Sequence, residues 1–244
     1  MIHMSLEEAA SHRKVRGQIF RDDGLDEFSI IETEFLDCEF VNCLFEGGRI
    51  GMSAFHSCRF TDCSFRDARL LSCQFNDAGG KHKCVWLRCD LSDATLIECD
   101  LSGNLLSSCR AFMLRLENCD ASGALMEIEV HRQVSARQIM GGLSCHRTKL
   151  IEADLHELDL EGSTFDCCDL READLSRCGL TSVNFVGSNL NGARLRGAIL
   201  TDANIAHADI DDLALAEAAS LERLVISPNQ RDAVLAQFGI KVVP

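Results

Sequence analysis

Residues 150–215 read LIEADLHELDLEGSTFDCCDLREADLSRCGLTSVNFVGSNLNGARLRGAILTDANIAHADIDDLAL, and a single beat runs through them. A large apolar residue returns at every fifth position: Leu150, Leu155, Leu160, Phe165, Leu170, Leu175, Leu180, Phe185, Leu190, Leu195, Leu200, Ile205, Ile210 and Leu215. That period fits neither a helix, at about 3.6 residues, nor a strand, at about 2. An amphipathic helix would smear these side chains around its circumference. The period suits a chain that turns a corner every fifth residue. Four corners close a square coil, and stacked coils make a solenoid whose layers lie about 4.8 Å apart.

The beat extends upstream. It runs through Phe35, Phe40, Phe45, Ile50, Phe55, Phe60, Phe65, Leu70 and Phe75, then through Trp86, Leu91, Leu96, Leu101, Leu106, Leu116 and Met126, with Ala111 and Ala121 filling gaps. In such a coil the large residue fills the axis, and the residue two before it must be small. Twelve of the 14 cysteines, Cys38, Cys63, Cys99 and Cys168 among them, hold that small position; Cys145 and Cys167 do not. Free cysteine packs as a small buried hydrophobe. A zinc site would need a cluster such as C-x-x-C, which the chain lacks. Disulfide frameworks belong to small secreted domains. The cysteines therefore read as packing residues, and a metal or redox role would have to sit at Cys145 or the Cys167–Cys168 pair.

The motif A-[DN]-L-x-x recurs as Ala153-Asp154-Leu155, Ala173-Asp174-Leu175, Ala203-Asn204-Ile205 and Ala208-Asp209-Ile210. On these units the chain resembles the pentapeptide-repeat proteins over roughly residues 30–215. The resemblance implies an all-β fold, a right-handed quadrilateral parallel β-helix with a C-terminal capping helix. Residues twenty apart then stack: Phe35 with Phe55 and Phe75, Phe40 with Phe60, Phe45 with Phe65, Leu150 with Leu170 and Leu190.

The register slips twice. Phe75 and Trp86 are 11 residues apart, one more than two units, around the basic stretch 79–83. Met126 and Leu150 are 24 apart, and residues 127–147 keep no beat. That segment reads either as a projecting loop, where partner contacts tend to gather, or as a degenerate coil. Its candidate contacts are His131, Arg132, Gln133, Arg137 and Gln138. Residues 1–28 read as an N-terminal tail and cap, 29–215 as the β-helix, and 216–244 as a helical cap and dimerisation module. Ser227-Pro228-Asn229-Gln230 is a helix start, Gly239 a stop, and a short helix near residues 217–224 is expected before it. Val234, Leu235, Phe238, Ile240 and Val242 are the candidate dimer residues; the alternative is a monomer whose tail folds back on its own coil.

The sequence has no P-loop, G-x-G-x-x-G or H-E-x-x-H motif, and an enzyme, a metal or a cofactor is not expected. No run of about 18 apolar residues predicts a membrane helix. The first residues lack the apolar core of a secretory signal, so the cytoplasm is the expected location. The net charge is −14, which argues against gripping nucleic-acid phosphates directly. Residues 150–217 alone carry 14 acidic and 4 basic side chains. On a square coil Asp154 shares a face with Asp174 and Asp100 with Asp120, while Asp169, Asn189 and Asp209 share another. About eight coils would give a rod near 40 Å long with regularly spaced negative charge. The alternative is an acidic surface that keeps the rod soluble. The whole plan is similar to the Qnr-type, topoisomerase-protecting pentapeptide proteins: Cys/Phe-rich early units such as Cys38-Glu39-Phe40 and Cys58-Arg59-Phe60, an irregular mid-chain segment, and a C-terminal helix ending in Gly239-Ile240-Lys241-Val242. That resemblance implies a DNA mimic that dimerises through its C-terminal end and shields DNA gyrase or topoisomerase IV from quinolones or a natural poison, in some members as self-immunity. An interaction scaffold with no topoisomerase partner is the other expectation.

Overall fold

The structure is a computed structural model that describes residues 4–24, 29–77, 81, 83–134, 137–139 and 141–243. The chain winds into a right-handed, four-faced parallel β-solenoid. Three faces carry short strands, mostly of three residues, with the central residue inward and its neighbours outward. Face 1 begins with Lys14–Arg16, Glu34–Leu36 and Ala54–His56 and continues through single bridging residues. Face 2 stacks Ile19–Arg21, Glu39–Val41, Arg59–Thr61, Val85–Leu87, Leu105–Arg110 and Leu125–Glu129. Face 4 stacks Ser29–Ile31, Arg49–Gly51, Arg69–Leu71, Thr95–Ile97, Arg115–Glu117, Ser144–His146 and Thr164–Asp166. Face 3 is built of single bridges such as Leu44 to Ser64 and Asp159 to Gly179.

Each corner is turned by a residue in the left-handed region two places after the central one. Asp37, Asn42, Asp62, Glu152, Glu172 and Gly187 are examples, with φ between 53° and 69°. Two corner chemistries follow from the small residue. Where it is alanine, as at Ala153, Ala173 and Ala203, its N–H closes a turn onto the central residue's carbonyl at 3.1 Å. Most corners of the strand-bearing coils lack that bond, and there the small residue is Cys, Ser or Thr. Its side chain donates to two carbonyls instead: Cys63 Sγ to Phe40 at 3.3 Å and Thr61 at 3.5 Å, Thr148 Oγ1 to Leu116 and His146, both at 3.2 Å. The next coil's Ser, Thr or Cys then accepts the small residue's N–H, as Ser188 Oγ does from Cys168 at 2.8 Å. The cysteines thus fill volume and satisfy backbone groups that burial would otherwise leave unpaired.

Stacked rings form the N-terminal core. Phe20, Phe40, Phe60 and Trp86 form one column, with ring centroids 5.1, 4.8 and 4.3 Å apart. Phe35, Phe55 and Phe75 form a second, and Phe45 and Phe65 a third. Below Trp86 the rings give way to Leu91, Leu96, Leu101 and Leu106, and the axis holds an apolar void of only about 10 Å³.

The described structure departs from the expected boundaries at both ends and at both slips. Val15 and Phe20 already sit inward on faces 1 and 2, so residues 14–21 are coil rather than tail, and only Leu6–Ala10 forms a capping helix. Trp86 stacks directly on Phe60, so the first slip is one corner with six extra residues; of its 79–83 stretch, residues 79, 80 and 82 lie outside the described residues. Cys145 takes the axial place between Leu116 and Phe165, so the third run starts one unit earlier than Leu150. No helix forms over 217–224. A single 3-10 turn at Leu215–Glu217 is followed by coil, with Ser220 bridging Ile199 and Val225 bridging Asn204. Apolar Leu221 and Leu224 pack on the core there. The cap is the helix Arg231–Gln237, entered through Ser227 N–H to Gln230 Oε1 at 2.7 Å. Gln230 Nε2 docks it by donating to the Ile205 and Ala208 carbonyls at 2.9 and 2.8 Å. The face 1 column from Lys14 to Asp209 has ten members, giving a rod about 43 Å long.

Candidate partner-binding surface

The mid-chain segment leaves the solenoid as a β-hairpin. Val130 is still buried on the stack. Arg132–Val134 then pairs antiparallel with Arg137–Ile139, Gln133 facing Gln138, and buried Leu143 re-enters before Ser144–His146 pairs with Arg115–Glu117. The strand entering the hairpin runs one residue short of its neighbour, so Ser108 bulges between Ser107 and Cys109, opposite Glu127 and Ile128. The base is tightly packed. His131 is buried, and its Nδ1 accepts the Gly141 N–H at 3.1 Å. Its Nε2 lies 3.4 Å from Asp159 Oδ1 but makes no hydrogen bond. The Arg132 guanidinium sits 4.2 Å from the Phe112 ring centroid and 3.9 Å from Asp93. A Cβ on Gly141 would lie 2.2 Å from the Val130 carbonyl oxygen and 2.6 Å from the Phe112 ring. Phe112 and Asp93 were not legible as part of this site, because their roles depend on where the hairpin departs; the pair Gly141-Gly142 stood out in the sequence, but not the close packing of Gly141.

The nominated aspartates have a structural duty. Asp100, Asp120, Asp154, Asp169 and Asp174 each turn Oδ1 onto the backbone N–H two residues on, at 2.9–3.3 Å. This caps the following turn and accounts for Asp or Asn in the repeat. Most are also ion-paired: Asp120 with Lys149 at 3.4 Å, Asp154 with His156 at 2.6 Å, Asp169 with Arg171 at 2.6 Å, and Asp174 with Arg194 at 3.0 Å. The Asp154 hydrogen bond raises the His156 pKa. Asp169, Asn189 and Asp209 do not form a separate column. The nine extra residues of the mid-chain segment bring Lys149 under Asp120, so one face 1 column runs Asp100, Asp120, Lys149, Asp169, Asn189, Asp209. Among the described residues, the carboxylates left without an ion pair in or near it are Asp100, Glu152, Glu161, Glu172, Asp209, Asp211 and Asp212. All but Asp100 and Asp209 lie at corner positions that the repeat does not constrain.

At the C-terminal end Val234 is buried against its own solenoid, and Leu235 and Val242 are half-buried. The exposed apolar residues are Phe238 (47%), Ile240 (52%) and Val243 (76%). All 14 cysteines are free and only Cys167 is exposed. Burial pushes the Cys168 and Cys178 thiols up to about 12 and that of Cys145 well above the ordinary value. Among the described residues no His, Cys, Asp and Glu cluster is arranged to hold a metal ion, and no helix is long and apolar enough to cross a membrane.

The family model "Pentapeptide repeats" matches residues 144–181 and 178–212 with eight copies, and the five-residue corner geometry runs well beyond them. Residues 144–212 of the chain carry pentapeptide repeats. It is 30% identical over 80 residues to the quinolone resistance pentapeptide repeat protein QnrB96 of Scandinavium goeteborgense, a match covering 33% of this chain and 37% of that protein. Its fold is similar to that of trypsin-treated QnrB1, a plasmid-mediated fluoroquinolone resistance protein, with TM-score 0.65, 18% identity, and coverage of 95% of this chain and 99% of the other. Full-length QnrB1 matches with TM-score 0.53 and 19% identity over 93% of this chain and 100% of its own.

Proposed function

We propose that this protein binds a bacterial type II topoisomerase, DNA gyrase or topoisomerase IV, and protects it from a quinolone or a natural poison. It acts by binding rather than catalysis, as a cytoplasmic dimer joined through the end that exposes Phe238, Ile240 and Val243, and in a poison-producing host it would serve self-immunity. One observation carries this reading. Residues 150–217 hold a net charge of −10 in between three and four coils, about 16 Å of rod. That is one charge per about 1.6 Å, next to one per about 1.7 Å for duplex DNA. A cationic groove shaped for DNA accepts such a rod by electrostatic complementarity. The paired strands Arg132–Val134 and Arg137–Ile139, within a stretch 131–141 that has Arg132 and Arg137 and no acidic residue, add a contact that DNA lacks and so a means of choosing the enzyme. The names of the Qnr proteins that the chain resembles point the same way.

The test is gyrase supercoiling in the presence of a fluoroquinolone. The wild-type protein restores supercoiling, and deletion of residues 131–141 removes the effect while circular dichroism stays unchanged. Supercoiling left inhibited by the wild-type protein overturns the proposal. The second reading, an acidic scaffold without a topoisomerase partner, is favoured by the ion-paired, turn-capping aspartates. Pull-down from a bacterial lysate separates the two, since only the first recovers gyrase or topoisomerase IV subunits.

A further inference from the structure

The N-terminal half of face 4 has a different chemistry from the rest of the rod. Its strands present two outward rows. One row reads Ser29, Arg49, Arg69, Thr95, Arg115. The other reads Ile31, Gly51, Leu71, Ile97, with Ile31 (44%) and Leu71 (47%) exposed, and Met52 stands exposed at the adjoining corner. Like charges facing each other across adjacent strands destabilise a sheet, and Arg49 faces Arg69 directly. Several basic residues elsewhere meet a carboxylate from a neighbouring coil: Arg88 with Asp62, Arg110 with Asp90, Arg177 with Glu157, Arg194 with Asp174, Arg223 with Asp202. Among the described residues Arg49, Arg69 and Arg115 have no such partner, and Asp67 on the adjoining corner pairs with none of them. The apolar row ends at Ile97, where Glu117, His146 and Asp166 continue it as a polar and charged one, and the arginine row ends one coil later at Arg115.

We infer that this strip, from Ile31 to Arg115, is a docking surface for an acidic amphipathic helix of a partner protein. The charge calls for carboxylates, and the adjoining apolar row calls for a segment that is apolar along its other flank. A phosphate backbone would neutralise the arginines and leave Ile31 and Leu71 wet. The spacing selects a helix over a strand. Residues three apart on a helix rise about 4.5 Å, close to the coil step of about 4.8 Å, whereas same-side residues of a strand lie about 6.7 Å apart. Carboxylates at helix positions i and i+3 meet Arg49 and Arg69. A third, about ten residues on, meets Arg115 three coils away. The strip spans four coil steps, about 19 Å, and so takes about 13 helical residues. This inference does not depend on the topoisomerase reading.

The test is fluorescence anisotropy at low salt with the full-length protein. The probe is a synthetic helical peptide of about 14 residues, with Glu at i, i+3 and i+10 on one flank and Leu on the other. Its scramble and a duplex DNA of matched length are the comparators. The helical peptide binds more tightly than both. The combined change Arg49→Gln, Arg69→Gln and Arg115→Gln weakens it about tenfold, Leu71→Ser alone weakens it about fivefold, and neither variant melts below the wild-type temperature. No peptide binding, or binding that ignores both variants, overturns the inference. Tighter binding of DNA that ignores Leu71→Ser assigns the strip to nucleic acid instead. Peptide-independent self-association that the arginine variant abolishes assigns it to a second copy. Supercoiling protection is measured on the same variants, so failure here and failure of the topoisomerase reading are told apart.

Discussion

Replacing Gly141 with alanine should unlatch the hairpin while leaving the solenoid standing. The added Cβ falls 2.2 Å from the Val130 carbonyl oxygen and 2.6 Å from Phe112 Cδ2. Val130 is buried on the stack and cannot step aside, so the returning leg of the hairpin must move by roughly 1 Å. That movement breaks the Gly141 N–H bond to His131 Nδ1, worth about 1 kcal/mol. It also pulls Arg132 from the Phe112 ring, worth about 0.5–1 kcal/mol. A loss of about 2 kcal/mol raises the open fraction of the hairpin about 30-fold. Global stability changes less, because a solenoid's coils are held by their immediate neighbours. Limited trypsinolysis reads the open fraction when cleavage is slow compared with reclosing, and the bonds after Arg132 and Arg137 are the reporters. Cleavage at these bonds should be about 30-fold faster in Gly141→Ala, the urea midpoint should move little, and supercoiling protection should fall in step. Equal cleavage rates in the two proteins would refute the packing argument for the hairpin base.

Phe60 is stacked on Phe40 and Trp86 and touched edge-on by Phe45, Phe55, Phe65 and Phe75, so Phe60→Ala should lower unfolding free energy in urea by about 3–5 kcal/mol; a loss under about 1 kcal/mol would show the ring column to be loosely packed. Ellman's reagent should titrate one thiol, Cys167, in the native protein and all 14 after denaturation; more than one fast thiol in the native state contradicts the buried ladders. The Arg171 guanidinium holds the Asp169 carboxyl below its ordinary value. Its contribution is present above about pH 3.9 and fades as pH falls through the lower folded-state value. The melting-temperature gap between wild type and Asp169→Asn should therefore be small, worth under about 1 kcal/mol, and should close below pH 4, and a gap that widens on acidification reverses the assignment.

Much of the fold could be read from single residues. The five-residue beat located the inward positions because axial volume admits only one large residue per corner. The corner chemistry was encoded only in part: Ala marks the hydrogen-bonded turn, whereas Cys or Ser stands both at open corners such as Cys63 and at closed ones such as Ser163, Ser188 and Cys178. The readings that failed did so for physical reasons. Val15 and Phe20 lie among charged neighbours, so the first coil looked like a tail. Cys145 packs axially, where a Leu or Phe would have carried the beat, so its unit went unread. Leu221 and Leu224 continue the coil where an apolar spacing suggested a helix. The candidate surface was less legible. Periodicity pointed to Asp154, Asp169 and Asp174, whose regular spacing serves turn capping, while the free carboxylates of Glu152, Glu161 and Glu172 sit where the repeat is silent. The hairpin base and the arginine row of face 4 depend on insertions that shift the register, and only the stacked coils show which residues become neighbours.

DNA imitation is tested most directly by competition for the enzyme. Purified gyrase is immobilised, this protein is bound to it, and duplex DNA is titrated in while the bound fraction is followed by biolayer interferometry. The account predicts saturable binding that weakens with salt and is displaced by DNA in a competitive manner, with the charge reversal Glu152→Lys, Glu161→Lys and Glu172→Lys binding at least about tenfold more weakly. Absence of binding, or binding that DNA leaves untouched, would contradict it.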